Sequence, residues 1–191
     1  ADCTGHGVPG AFMSIMGISF LNEITGADIE PNANLILEDL RQKVKSSLNQ
    51  DIKHIERQEG MDIAFCVIDK RKMKLQFAGA YNPLFIVRNN ELIEIKATRN
   101  PIGAYLKEIP FACSEFELQK DDKIYMFSDG YIDQFRDNKG RKFLKRNFRE
   151  LILNISSNSL SLQKQILADT FTMWKGNSPQ IDDVLVLAVK I

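Results

Sequence analysis

The sequence predicts an α+β fold, with helices at both ends and antiparallel strands between them. Three observations carry that reading. Apolar residues recur at helical spacing from Pro9 to about Thr25 and again from about Asn32 to Gln50. From Met61 the chain switches to strand-period alternation, interrupted by turn-forming residues. Helical spacing then returns twice before a last apolar strand. At 191 residues the chain is expected to form one domain over 1–191, long enough to bury a substantial core.

The elements justify themselves in order. Pro9 suits the first turn of a helix, where a missing N–H costs nothing. Phe12, Met16, Phe20 and Ile24 form a ridge at i, i+4, and Ile15, Ile18 and Leu21 widen it until little polar face remains. That helix is expected to be largely buried. Gly26 ends it, and 27–31 connect it to the next. In the second helix Ile36, Leu40, Val44 and Leu48 form the stripe, while Glu38, Arg41, Gln42 and Lys45 face water. Two such helices predict an antiparallel pair laid on a sheet. The charged stretch 51–60, with His54 inside it, reads as a surface loop.

The middle reads as a meander of about six strands. Met61, Ile63, Phe65 and Val67 alternate with Asp62, Ala64, Cys66 and Ile68. After a turn at 69–72, Met73, Leu75 and Phe77 alternate with Lys74 and Gln76, until Gly79-Ala80-Tyr81-Asn82-Pro83 breaks the run. Leu84–Arg88 and Glu91–Lys96 are joined by Asn89-Asn90, residues suited to a tight hairpin. Phe111–Leu118 and Lys123–Ser128 are expected to pair around Lys120-Asp121-Asp122. Helices follow at about Lys145–Ile155, with Phe148, Leu151, Ile152 and Ile155 inward, and at about Leu160–Trp174, with Trp174 as a packing anchor. Val184–Val189 is apolar on both faces and is expected in the middle of a covered sheet.

Composition excludes several functions. Lys+Arg and Asp+Glu balance at 25 each, so no nucleic-acid partner is expected. Cys3, Cys66 and Cys113 are odd in number and scattered, which argues against a disulfide framework or a thiolate metal site. It also predicts a reducing, cytoplasmic compartment. No apolar run reaches membrane-spanning length and no signal peptide is visible. The chain opens on Ala-Asp without a methionine, which reads as a piece of a longer polypeptide.

The first fourteen residues concentrate the chemistry. Asp2 is followed by Gly5, Gly7 and Gly10, with His6 between the first two, and then by the helix start. Such a loop lets backbone approach a ligand, and a helix N-terminus favours anions. The same residues also suit a tight turn that caps a buried helix. Two further acidic positions share a geometry. Asp129 ends the strand Ile124-Tyr125-Met126-Phe127, and Asp182-Asp183 precede the last one. If those strands run antiparallel, the acids meet at one sheet edge. Clustered carboxylates repel one another and favour a cation between them, and hard ions such as Mg²⁺ or Mn²⁺ prefer oxygen donors.

Three motifs then resemble a known family. Ala-Asp-Cys-Thr-Gly-His-Gly-Val-Pro-Gly-Ala, Phe-Ser-Asp-Gly-Tyr and Asp-Asp-Val-Leu-Val-Leu are similar to signatures of the SpoIIE-type metal-dependent protein serine/threonine phosphatases, a bacterial branch of the PPM, or type 2C, superfamily. Gly79-Ala80-Tyr81-Asn82-Pro83-Leu84 and Pro101-Ile102-Gly103 resemble it too. The match runs in order along nearly the whole chain. The resemblance implies an antiparallel β-sandwich flanked by helix pairs. It implies that Asp2, Asp129 and Asp182 are the catalytic carboxylates and ligate two Mn²⁺ or Mg²⁺ ions. The Cys3 carbonyl and Asp183 would be lesser ligands, Asp183 standing where relatives carry Asp or Asn. Two ions ~3.5–4 Å apart would activate a water for in-line attack on phosphoserine or phosphothreonine, without a nucleophilic side chain. His6 falls off the spacing of the histidine assigned as general acid in eukaryotic relatives, and reads as loop-shaping.

The family also carries an earlier strand pair with a Gly-Asp motif that would lie before residue 1. On that basis the fold is expected to lack its first strands, the 191 residues to be weakly active, and an exposed sheet edge to favour a homodimer. The resemblance further implies a phosphorylated protein substrate such as an anti-sigma-factor antagonist. It implies an upstream sensor domain in the parent chain, which could anchor it to a membrane. Two other classes compete. A non-catalytic regulatory module of the same fold would be expected to have lost its carboxylates, and they are present. A nucleotide-binding loop lacks the Gly-Lys-Ser/Thr that would reach phosphates.

Overall fold

The computed structural model describes residues 1–5, 7–26, 32–50, 59–136 and 140–191. His6 and His54, and the connectors around 27–31 and 51–58, lie outside the described residues. The architecture is α+β with antiparallel sheets. The chain divides into two compact units, Ala1–Pro83 with Ile95–Leu118, and Leu84–Glu94 with Gln119–Ile191. No helix among the described residues is long and apolar enough to cross a membrane.

In the first unit, β1 (Asp2–Cys3), β2 (Met61–Asp69), β3 (Lys74–Ala80) and β6 (Ser114–Glu117) form a sheet in the order β1-β2-β3-β6. The turn between β2 and β3 is closed by the Asp69 carboxylate, which accepts from the Arg71 and Lys72 N–H groups at 2.9 and 3.0 Å. Helix α2 (Ala33–Ser47) lies on β2 and β3, and α1 (Val8–Thr25) lies on α2. Leu37, Leu40, Val44, Met61, Ile63, Ala78, Ile102 and Phe111 fill the space between helices and sheet.

Two expectations fail in this unit. Helix α1 is not largely buried: Gly10, Met13 and Gly17 are, whereas Phe12, Ile15 and Ile18 are exposed. A helix apolar all round does not announce which stripe its neighbour covers, and only the side carrying Met13 and Met16 meets the core. Arg41 does not face water. It is 4% exposed, paired with Glu38 and stacked 4.5 Å above the Phe111 ring. Its aliphatic stem suits an apolar wall while its guanidinium holds backbone beyond it.

In the second unit the order is β10-β7-β4-β5, from β4 (Leu84–Arg88), β5 (Glu91–Ile95), β7 (Lys123–Phe127) and β10 (Val186–Lys190). Asn89 and Asn90 both take positive φ, at 50° and 64°, as a two-residue hairpin between twisted strands requires. Helices α3 (Gly130–Asp133), α4 (Lys145–Ile155) and α5 (Leu160–Lys175) and the short pair β8 (Phe135–Arg136) and β9 (Arg141–Lys142) complete it. Trp174 is the expected anchor: its indole N–H donates to the Gln134 carbonyl at 2.9 Å and its ring meets Phe143 edge-on.

The strand partners differ from expectation. β6 and β7 do not pair with each other; β6 pairs with β3, and β7 lies between β4 and β10. The six strands of the expected meander therefore divide three and three between two sheets, each completed by a fourth strand, β1 or β10. β10 is an edge strand rather than a central one, with Leu187 exposed. Alternation reports which faces of a strand are dry, not which strand lies beside it.

Phe148 centres the second core. It is fully buried, with ring centroids 4.6 Å from Phe127 and 4.9 Å from Tyr131. Phe148→Ala is expected to cost about 3–5 kcal/mol, since the surrounding rings cannot close the void. A lowered urea midpoint at unchanged m-value would register it.

Candidate metal centre

The second unit brings three of the expected acids together. β7 and β10 pair antiparallel, with Phe127 opposite Val186, so the end of one strand and the start of the other share one sheet end. Asp129 follows β7 and Asp182-Asp183 precede β10; all three are exposed. Carboxylate oxygens of Asp129 and Asp182 lie within 4.8 Å of each other.

This proximity is built by neighbours. Ser128, 5% exposed, donates its hydroxyl to the Asp183 carbonyl at 2.9 Å and accepts from the Leu185 N–H at 3.1 Å. Its own N–H donates to the Leu185 carbonyl at 3.1 Å. Ser128 therefore staples the acidic segment to the end of β7. Gly130 makes room for it: a Cβ there would stand 2.3 Å from the Asp183 carbonyl oxygen and 3.2 Å from the Asp182 Cβ. Gln134, fully buried, donates to the Pro179 carbonyl at 2.9 Å and fixes the approach to the segment. The Asp182 carboxylate accepts from the Asp183 N–H at 2.8 Å, which orients it.

The first unit holds Asp2 and Cys3. Both sit on β1, opposite Asp62 and Met61 on β2. Thr4 extends the pairing, with its N–H donating to the Gly60 carbonyl at 2.9 Å and its hydroxyl to Glu59 at 2.8 Å. The loop then turns into α1 through Gly5 and Gly7, at φ 83° and 67°. Ser14, on α1, donates to the Gly10 carbonyl at 3.0 Å and reaches the Cys3 sulfur at 3.5 Å.

Sequence reasoning named the acids but missed their supports. Asp62, directly across from Asp2, was visible only as a charge near the start of an apolar strand. Gln134 left no local signal and Ser128 stood in the Phe-Ser-Asp-Gly-Tyr motif without a role, because their partners lie 40 or more residues away.

The donors offered by Asp2, Asp129, Asp182 and Asp183 are carboxylate oxygens, a set that fits hard divalent ions such as Mn²⁺ or Mg²⁺ and not soft thiophilic ones. Two carboxylates as close as Asp129 and Asp182 repel each other unless a proton or cation intervenes.

The comparisons with known proteins agree with this fold. The family model described as Stage II sporulation protein E (SpoIIE) matches residues 1–191. The SiaA-PP2C domain of Pseudomonas aeruginosa superposes with a TM-score of 0.87 at 26% identity, over 99% of this chain and 73% of that one. The PP2C phosphatase domain of SpoIIE from Bacillus subtilis, solved with a fragment of its regulatory domain, gives 0.75 at 18% identity, over 98% of this chain and 52% of that one. The catalytic domain of the serine/threonine phosphatase PstP, in complex with two manganese ions, gives 0.64 at 16% identity, over 97% and 84%. No curated protein sequence matches the chain.

Proposed function

The chain belongs to the SpoIIE family, whose fold is that of the PPM serine/threonine phosphatases, and from that premise we propose that it hydrolyses phosphoserine or phosphothreonine on a regulatory protein. The observation that carries this reading is the pair Asp129 and Asp182, whose carboxylates approach within 4.8 Å at a sheet end reinforced by Ser128 and Gly130. Asp2 is proposed as the third carboxylate, with the Cys3 carbonyl and Asp183 as further ligands of Mn²⁺ or Mg²⁺.

Divalent ions bound there would polarise the phosphoryl oxygens and lower the pKa of water. The chain's own residues supply the rest. Asp129, Asp182 and Asp2 hold negative charge where the ions are needed. Ser128 and Gln134 keep the acidic segment in place, so that orientation is set before substrate arrives. No serine or cysteine nucleophile is required, and none of the cysteines lies in a recognisable nucleophile motif. The proposed substrate is a phosphoprotein such as an anti-sigma-factor antagonist, in a bacterial signalling chain.

Removal of metal tests the proposal. The chain is expected to hydrolyse p-nitrophenyl phosphate and a phosphoserine peptide with Mn²⁺, to stop with EDTA, and to recover when Mn²⁺ is returned in excess. Calorimetry should show Mn²⁺ binding in the same concentration range. Hydrolysis that survives EDTA would overturn the metal-dependent reading. Mn²⁺ binding without any hydrolysis would favour a regulatory module of the same fold.

A further inference from the structure

The first unit carries a built surface beside Asp2. Asp2 stands opposite Asp62 in the β1–β2 ladder. Ile63 stands opposite Ala80 in the β2–β3 ladder, which ends there, and Ala80 also bridges Thr98. Asp2 and Asp62 thus face each other at the end of the sheet where Tyr81 leaves it, beside the loop that carries Arg99.

Tyr81 is held unusually. Its φ is 57°, a left-handed conformation that bulky residues seldom adopt and that clusters at functional positions. Its N–H donates to the Thr98 carbonyl at 3.0 Å, and the Thr98 N–H donates to the Gly79 carbonyl at 2.9 Å. This pairing turns its phenol toward the loop that follows β5. There the Tyr105 phenol lies beside it, with Asp62 and Arg99 near enough to interact electrostatically. The neighbouring Tyr105 phenol, then burial, then the Asp62 charge push the Tyr81 phenol up to about 12.

The loop from Thr98 to Phe111 is anchored from below. Asn100, 1% exposed, donates to the Arg99 and Lys107 carbonyls at 2.8 and 3.2 Å and accepts from the Ile109 N–H at 3.3 Å. The buried Arg41 donates to the Ile109 carbonyl at 3.1 Å, and Glu38 accepts from the Phe111 N–H at 2.7 Å. Above these anchors the loop presents Arg99 and Lys107 to solvent, with Tyr81, Tyr105, Leu106 and Ile109 also exposed. Neither Arg99 nor Lys107 is in an ion pair among the described residues. Fixed aromatics beside exposed cations are what a tight contact with an anionic polypeptide needs.

We propose that Tyr81, Tyr105 and Arg99 form a ledge that receives the acidic segment of a phosphoprotein next to Asp2. The tyrosine hydroxyls and the guanidinium contact the anionic peptide, while Leu106 and Ile109 take an apolar neighbour. These are positioning residues, not catalytic ones. The inference rests on the phosphatase reading for its substrate class, but binding tests it without hydrolysis.

The test measures the Kd of a fluorescein-labelled phosphoserine peptide with acidic flanks, and kcat/KM for that peptide and for p-nitrophenyl phosphate. Arg99→Ala and Tyr81→Phe, which keeps the ring, are each expected to weaken peptide binding about tenfold, the loss of one charge-assisted hydrogen bond. Their kcat/KM for the small ester should stay within about twofold, since the ledge touches only the peptide. If the wild type binds the peptide but hydrolyses nothing, and the variants lose binding, the ledge stands and the phosphatase reading falls. If peptide affinity is the same in all three proteins, or the small ester suffers as much as the peptide, the ledge is overturned.

Discussion

Gly130→Ala is expected to lower Mn²⁺ affinity and phosphoester hydrolysis by about a hundredfold or more, with the second core still folded. The added Cβ would sit 2.3 Å from the Asp183 carbonyl oxygen, a contact with backbone that no rotamer change relieves. The 182–183 segment must therefore move. As it moves, the Ser128 hydroxyl loses the Asp183 carbonyl, now at 2.9 Å, and Asp182 leaves Asp129. A misplacement of about 1 Å in a site of this kind costs on the order of a hundredfold in rate. Asp129→Asn supplies the comparison, since it removes a charged donor without moving backbone and should lose at least as much. Calorimetric Mn²⁺ titrations of both variants, beside thermal unfolding, measure the effect. Unchanged Mn²⁺ affinity in Gly130→Ala would mean that Asp182 is not a ligand.

The largest stability effect is expected at Asp122. Its side chain is 1% exposed and meets the Arg88 guanidinium through two bonds, at 2.9 and 2.7 Å. It also accepts from the Gln119 N–H at 2.7 Å, at the turn that leads into β7. Asp122→Ala takes both carboxylate bonds from a half-buried guanidinium and leaves the Gln119 N–H without its acceptor. The expected cost is about 3 kcal/mol, at the low end for a broken buried pair because Arg88 keeps some access to water. A double variant, Arg88→Met with Asp122→Leu, is expected to lose less than Asp122→Ala, since neither charge is stranded. Urea denaturation of the three proteins checks both statements.

The same pair sets a pH dependence. Burial alone would raise the Asp122 carboxyl, but the Arg88 guanidinium and the Gln119 N–H outweigh it and hold the group below the ordinary carboxylate value. A carboxyl lowered in the folded state contributes its full stability above the unfolded pKa, about 3.9. That contribution is lost as pH falls from there through the lowered folded value. Acid unfolding should therefore begin below about pH 4, and it should be less steep in the double variant.

Much of the fold was legible because it is local. Lys145–Ile155 and Leu84–Arg88 appear as read, and the Asn89-Asn90 hairpin takes the φ values that its residues suggested. The β3 strand runs on to Ala80 rather than breaking at Gly79, since Gly79 and Ala80 pair with Ala64 and Ile63. The helix stripe of α2 was right for Ile36, Leu40 and Val44 and wrong for Arg41, whose partners Asn100 and Ile109 arrive from more than fifty residues away. The acids of the site were legible as motifs. Their supports, Ser128 and Gln134, were not, because a buried polar side chain is satisfied by whatever backbone the fold brings to it.

The sequence by itself determined the α+β class and the family, and it singled out the carboxylates proposed for the site. These follow from hydrophobic period and from motifs that stay intact along the chain. Only the tertiary structure decided that β6 joins β3 while β7 joins β10, which face of α1 is covered, and that Asp2 faces Asp62 across the β1–β2 ladder. The physical reason is that period marks the dry side of each element, whereas lateral strand partners are selected by long-range backbone hydrogen bonds and packing.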